Sequence, residues 1–161
     1  MQRLVATLQE RAAWPTQGED PHDMEWLPGG QVLVANGGIH TMPETGRLKH
    51  ALARMDSSLV RIDVASGVLT GQWRVADTRL SLRHLARHAS GLIGVAMQAE
   101  HDELAARALA PVFALFDPAR EVLTTQPPDR PGAGYAGDIA AQRGGWALST
   151  PRDHALVQVN L

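Results

Sequence analysis

Apolar residues along this chain fall in short runs that alternate with polar ones, and turn-forming residues interrupt them at close intervals. The clearest case is Pro21-His22-Asp23-Met24-Glu25-Trp26-Leu27-Pro28-Gly29-Gly30-Gln31-Val32-Leu33-Val34-Ala35-Asn36. It predicts two strands joined by a Pro-Gly-Gly turn, with a His-Asp pair where the first strand begins. The pattern recurs. Asp23, His84 and Asp138 each stand seven residues before a glycine, Gly30, Gly91 and Gly145, and an apolar residue follows each of them. Each glycine closes a turn and opens an apolar strand, at residues 31–35, 92–96 and 146–150.

After a polar loop every unit continues with another strand: Ser58-Leu59-Val60-Arg61-Ile62-Asp63-Val64, Val112-Phe113-Ala114-Leu115-Phe116-Asp117 and Ala155-Leu156-Val157-Gln158-Val159-Asn160. The first two end in Asp-led turns at Asp63 and Asp117, and a fourth strand follows each, at residues 68–75 and 121–124. Four short antiparallel strands in repetition predict an all-β fold of propeller blades. The units are longer than the roughly 40–50 residues of a compact blade. The excess lies between second and third strands, at residues 36–57 and 97–110, with a short helix expected at 102–109.

The organisation expected is therefore an open, partial β-propeller of about two and a half to three four-stranded blades. They span residues 21–78, 79–131 and 132–161, the last incomplete. Residues 1–20 read as the remnant of a preceding blade or as a disordered lead, because Trp14-Pro15 breaks the helical spacing of Leu4, Val5 and Leu8.

Composition changes this picture little. With 161 residues, 15 Gly, 10 Pro and a net charge of −2, the chain is one turn-rich globular domain. Its basic residues are scattered, so no stripe exists to bind nucleic acid. No apolar run is long enough to span a membrane. The absence of Cys excludes disulfides and thiolate metal sites. The first ten residues lack the apolar core of a secretory signal, so the chain is cytoplasmic if the sequence is complete, or a piece of something longer.

Gly18-Glu19-Asp20-Pro21-His22-Asp23-Met24-Glu25-Trp26-Leu27-Pro28-Gly29-Gly30, Val34-Ala35-Asn36-Gly37-Gly38-Ile39 and Glu44-Thr45-Gly46-Arg47 resemble a bacterial family of uncharacterised proteins named for domain of unknown function 1513 (DUF1513). Leu80-Ser81-Leu82-Arg83-His84-Leu85, Gln98-Ala99-Glu100-His101-Asp102 and Gly134-Tyr135-Ala136-Gly137-Asp138-Ile139-Ala140 are similar to later stretches of the family. The resemblance implies a seven-bladed propeller, export to the periplasm through a twin-arginine signal, and a setting beside iron-uptake or haem-type peroxidase components.

In a propeller the first strand of each blade starts at the mouth of the central channel. That would gather His22, Asp23, Arg83, His84, Tyr135 and Asp138 there, rimmed by His40, Glu44, Glu100, His101, Asp102, Arg152 and His154. His22, Asp23, His84 and Asp138 are candidates for a carboxylate-sugar site or for ligands of a divalent metal or iron, since imidazole and carboxylate suit Zn, Fe or Mn. The competing reading is structural: polar side chains at strand starts that bond backbone groups and hold the blades together.

Other motifs weaken on inspection. His101-Asp102-Glu103 reads as a solvated helix start, because adjacent helical residues point apart. Gly132-Ala133-Gly134-Tyr135-Ala136-Gly137 matches a dinucleotide pattern but precedes a strand, where the motif needs a helix. Trp26, Trp73 and Trp146 read as packing between blades. There is no GxSxG, Walker A or HExxH motif.

Three readings of function follow. The first is a non-enzymatic binding or scaffold protein, an accessory to periplasmic iron uptake, docking a protein partner or small ligand on its polar face. The second is a metal-dependent, lactonase-like propeller hydrolase with metal on Asp23, His84 and Asp138. The third is a truncated product with no function of its own.

Overall fold

The computed structural model describes residues 12–40 and 52–161. Among them the chain forms three antiparallel sheets in sequence order. The first contains β1 (Pro21–Leu27), β2 (Gln31–Asn36), β3 (Ser58–Asp63) and β4 (Leu69–Trp73). The second contains β5 (Leu80–Arg87), β6 (Ile93–Ala99), β7 (Phe113–Asp117) and β8 (Val122–Gln126). The third contains β9 (Asp138–Gln142), β10 (Gly145–Thr150) and β11 (Ala155–Asn160). The only α-helix among the described residues, α1 (Leu104–Leu109), lies between β6 and β7. No helix among them is long and apolar enough to cross a membrane.

Each sheet is a meander whose strands pair in chain order, and no sheet closes on itself. The sheets pack face to face through their first strands, β1 on β5 and β5 on β9. This all-β, open array is consistent with a partial propeller. Alternation decides which residues face which neighbour. Leu33, Ala35 and Leu59 of the first sheet share a core with Ile93, Val95, Met97 and Phe116 of the second. On the opposite face of the second sheet, Ala86, Ala96 and Phe113 share a core with Ile139, Trp146 and Leu148 of the third.

The Asp-led turns form as expected. Asp63 Oδ1 accepts the Ser66 N–H at 2.9 Å, and Asp117 Oδ1 accepts those of Ala119 and Arg120 at 2.9 and 3.1 Å. These local bonds close the β3–β4 and β7–β8 reversals.

One register differs from the spacing in the sequence. Asp23 pairs with Ala35 and His84 with Ala96, whereas Asp138 pairs with Ser149. The third hairpin is therefore one residue shorter, turning through Arg143 and Gly144 alone, and Gly144 rather than Gly145 is equivalent to Gly30 and Gly91. A one-residue change in register exchanges the faces of a strand. It is Trp146 and Leu148, at the positions of Val32 and Val34, that turn toward the preceding sheet.

The tryptophans divide accordingly. Trp146 is buried, donates from Nε1 to Ala86 O at 2.8 Å, and lies against Phe113 and His88. Trp73 lies against Phe116, with ring centroids 4.6 Å apart. Trp26 is largely exposed and packs against no other sheet among the described residues.

A candidate polar site where three sheets meet

The first strands of the first two sheets carry the same irregularity. In β1 the pairing passes from Pro21 to Asp23 over a single step of β2, leaving His22 as an extra residue. In β5 it passes from Leu82 to His84 over a single step of β6, leaving Arg83 extra. Bulges of this kind redirect a side chain out of the strand's alternation. They bring His22 and His84 edge to face, centroids 4.7 Å apart and planes at 87°. Arg83 Nη1 donates to Asp20 Oδ2 at 2.7 Å.

Both carboxylates at the strand starts bond backbone. Asp23 Oδ1 accepts the Met24 N–H at 2.8 Å, and its Oδ2 accepts the Leu85 N–H of the next sheet at 2.9 Å. Asp138 repeats the first of these with the Ile139 N–H, at 2.9 Å. His84 Nδ1 sits between the two carboxylates, 4.0 Å from Asp23 Oδ2 and 3.9 Å from Asp138 Oδ1, which is beyond hydrogen-bonding distance. The structure thus brings His22, Asp23, Arg83, His84 and Asp138 to the line where β1, β5 and β9 adjoin. No three imidazole or carboxylate groups among the described residues are arranged to hold a metal ion.

Tyr135 belongs to a different set. It bridges to Gln98 on the second sheet, and its ring lies under the Arg152 guanidinium, 4.2 Å from the centroid. There it lines a groove of about 910 Å³ between the second and third sheets, together with Asp153, Phe113 and Leu156.

The expected rim also separates into local pairs. His40 lies 3.6 Å from Glu19, His101 Nε2 is 2.9 Å from Asp77, and Asp102 is 2.9 Å from Arg79. Glu100 is buried, and His154 ends a single 3-10 turn. Glu44, with residues 41–51 between the second and third strands, lies outside the described residues, as do residues 1–11 of the leading segment.

Burial of its ring, with the nearby Arg83 guanidinium and His84, holds the His22 imidazole below its ordinary pKa. The folded state therefore resists protonation there. Any stability His22 contributes is present above the usual imidazole range and is lost as pH falls through the lower folded value. His22 Cε1–H will titrate below the ordinary imidazole range in a proton NMR series, and Arg83→Gln will move it upward. An unmoved His22 in that variant would remove the guanidinium as a cause.

Two residues of this region carried no signal in the sequence. Ser57 is buried, donates from Oγ to Asn36 O at 3.0 Å and accepts the Leu82 N–H at 2.8 Å. Asp20, in what reads as a plain turn, anchors Arg83. Only the packing of the second sheet on the first gives either its role.

Successive antiparallel sheets, with polar side chains of their first strands collected along one line, define a repeat-built all-β protein. The chain belongs to the DUF1513 family, described as proteins of unknown function, whose family model matches residues 1–161. No curated protein and no solved structure matches it.

Proposed function

We propose that this is a non-enzymatic binding or scaffold protein, that its sheets are propeller blades, and that a small ligand or protein partner docks where β1, β5 and β9 meet. The observation that carries the reading is the His22–His84 pair. Most polar groups nearby are engaged: Asp23 with backbone on both oxygens, Arg83 with Asp20, Ser57 with Leu82 and Asn36. The two imidazoles instead contact each other, and the largely exposed carboxylate of Asp138 stands 3.9 Å from one of them. Hydrogen-bonding capacity held at a junction of rigid strands, and left unspent, is what a recognition site requires. The resemblance that suggested iron uptake in the periplasm adds ferric or divalent ions to the ligands worth testing.

Equilibrium dialysis with Zn²⁺ and Fe³⁺ and a thermal-shift series test the reading together. Uptake near one ion per chain, with a raised Tm, is the expected result for a metal ligand. His84→Ala should then weaken it at least about tenfold, the lower end of what even outer-shell changes cost metal sites. Absence of uptake for both ions would end the metal version and leave organic ligands or a protein partner.

A hydrolase reading draws on the approach of His84 to Asp23 and Asp138. Asp138→Asn separates the two, because Asp138 is exposed and its backbone bond is local. A metal-dependent lactone hydrolysis abolished by this change would replace the binding proposal with an enzymatic one.

A further inference from the structure

Two gaps of nearly equal width separate His84 from the carboxylates beside it. Its Nδ1 stands 4.0 Å from Asp23 Oδ2 on β1 and 3.9 Å from Asp138 Oδ1 on β9. Both oxygens are fixed by backbone. Asp23 gives one oxygen to the Met24 N–H and the other to the Leu85 N–H, and Asp138 Oδ1 takes the Ile139 N–H. Each carboxylate oxygen keeps lone-pair capacity beyond one such bond, and His84 Nδ1 is a further acceptor in the Nε2–H tautomer. Among the described residues no side-chain donor bonds any of these three atoms.

The width of the gaps selects what fills them. A metal ion bonds nitrogen and oxygen at about 2.0–2.2 Å, so two ligands of a tetrahedral ion lie about 3.4 Å apart. Spanning the 3.9 and 4.0 Å gaps would open the angle at the ion to about 140°. A donor nitrogen at a charge-assisted distance of about 2.8 Å meets two such acceptors at an angle of about 90°. Each hydrogen bond then bends only about 10° from linear, well within the preferred range. Charge selects further. Asp20, Asp23 and Asp138 stand against the single guanidinium of Arg83, which Asp20 already pairs at 2.7 Å. Burial keeps the nearby His22 ring below its ordinary pKa, so at neutral pH it adds no opposing charge. A water fits the gap by size and leaves the negative charge unanswered. An ammonium group brings three donors, no acceptor and a positive charge.

We infer that the junction takes a primary ammonium group, which bridges His84 Nδ1 and the Asp138 carboxylate while Asp23 supplies a second negative charge alongside. Asp138 is the open side of the site, its side chain 76% exposed against 24% for His84, so the ligand enters past Asp138. This rests on the reading of the junction as a ligand site and names the ligand's chemistry.

NMR titration of the full chain at neutral pH and constant ionic strength, with n-butylammonium, tetramethylammonium, butyrate and Zn²⁺ as probes, tests it. Butylammonium should move the His84 ring and Ile139 N–H resonances along a saturating curve. The Ser66 and Ala119 N–H groups, which rest on the turn carboxylates of Asp63 and Asp117, should stay in place. Tetramethylammonium carries the charge without a donor and should bind at least about tenfold more weakly, the worth of a hydrogen bond to a charged group. Asp138→Asn keeps an acceptor for the Ile139 N–H and should weaken butylammonium by the same factor. His84→Phe, which keeps a ring and loses the acceptor, repeats the test if that variant fails to fold. Acetyl-Gly-Lys-Gly amide run in parallel locates the source: tighter binding than butylammonium assigns a lysine of a protein partner, and equal or weaker binding assigns a free amine. Equal affinity for butylammonium and tetramethylammonium, or matching shifts at Ser66 and Ala119, overturns the inference. Zn²⁺ or butyrate acting at Ile139 where butylammonium does not overturns the ammonium and keeps the site, whereas silence from every probe overturns both.

Discussion

Trp146→Ala will release the third sheet from the second. The ring is 1% exposed, and it fills the space that Gly94 leaves open in β6. Truncating a buried Trp typically costs about 3–5 kcal/mol, through lost transfer energy and the cavity left behind. The lost Nε1–H bond also leaves Ala86 O without that donor, within the same total. Against a usual stability of about 5–15 kcal/mol this is a large fraction. Urea denaturation followed by far-UV circular dichroism should show the midpoint falling, and amide exchange should accelerate first in Gly145–Thr150. Trp146→Phe retains most of the packing and should lose only about 1–2 kcal/mol. A loss below about 1 kcal/mol for the alanine variant would mean that the ring does not clamp the two sheets.

Gly38→Ala has the second-largest expected effect, by a different mechanism. Gly38 has φ +71°, and a Cβ there would stand 2.3–2.6 Å from Ser57 N, Asp56 C and Ser57 Cα, all of them backbone. A non-glycine residue held at positive φ costs of order 1–3 kcal/mol, and forcing atoms into an occupied site about 1–3 more. The collision falls on the crossing where Gly38 N–H donates to Glu19 O and Gly38 O accepts the Asp56 N–H. Moving that crossing displaces Ser57, whose Oγ receives the Leu82 N–H of the second sheet. The expected result is a loss of at least about 2 kcal/mol in the same denaturation experiment, with faster amide exchange at Leu82. An exchange rate at Leu82 equal to the wild type's would show that the crossing does not transmit to β5.

The site and the fold were legible to different degrees. Asp23 and His84 were expected at strand starts; Asp23 lies near the start of β1, whereas His84 lies in the middle of β5. Their bonding was not legible. The Leu85 N–H that occupies Asp23 Oδ2 comes from 62 residues away, and no local periodicity encodes such a partner. The two bulges were also invisible, since one extra residue in a polar stretch leaves the alternation of Met24, Trp26 and their neighbours unchanged. Tyr135 looked equivalent to residues of the His22 group, but the loop before β9 bridges it to Gln98 instead.

By itself the sequence determined the order of the strands, the position of the turns and the repetition of a four-strand unit. Those follow from period-two alternation and from the backbone preferences of Gly, Pro and Asp, which act within a few residues. Tertiary structure decided the shorter third hairpin, the burial of Trp146 against the exposure of Trp26, and the meeting of His22 with His84. Each depends on which face of one sheet meets which face of the next. That choice is made by the summed fit of large and small side chains across a junction, and no single stretch of the chain contains it.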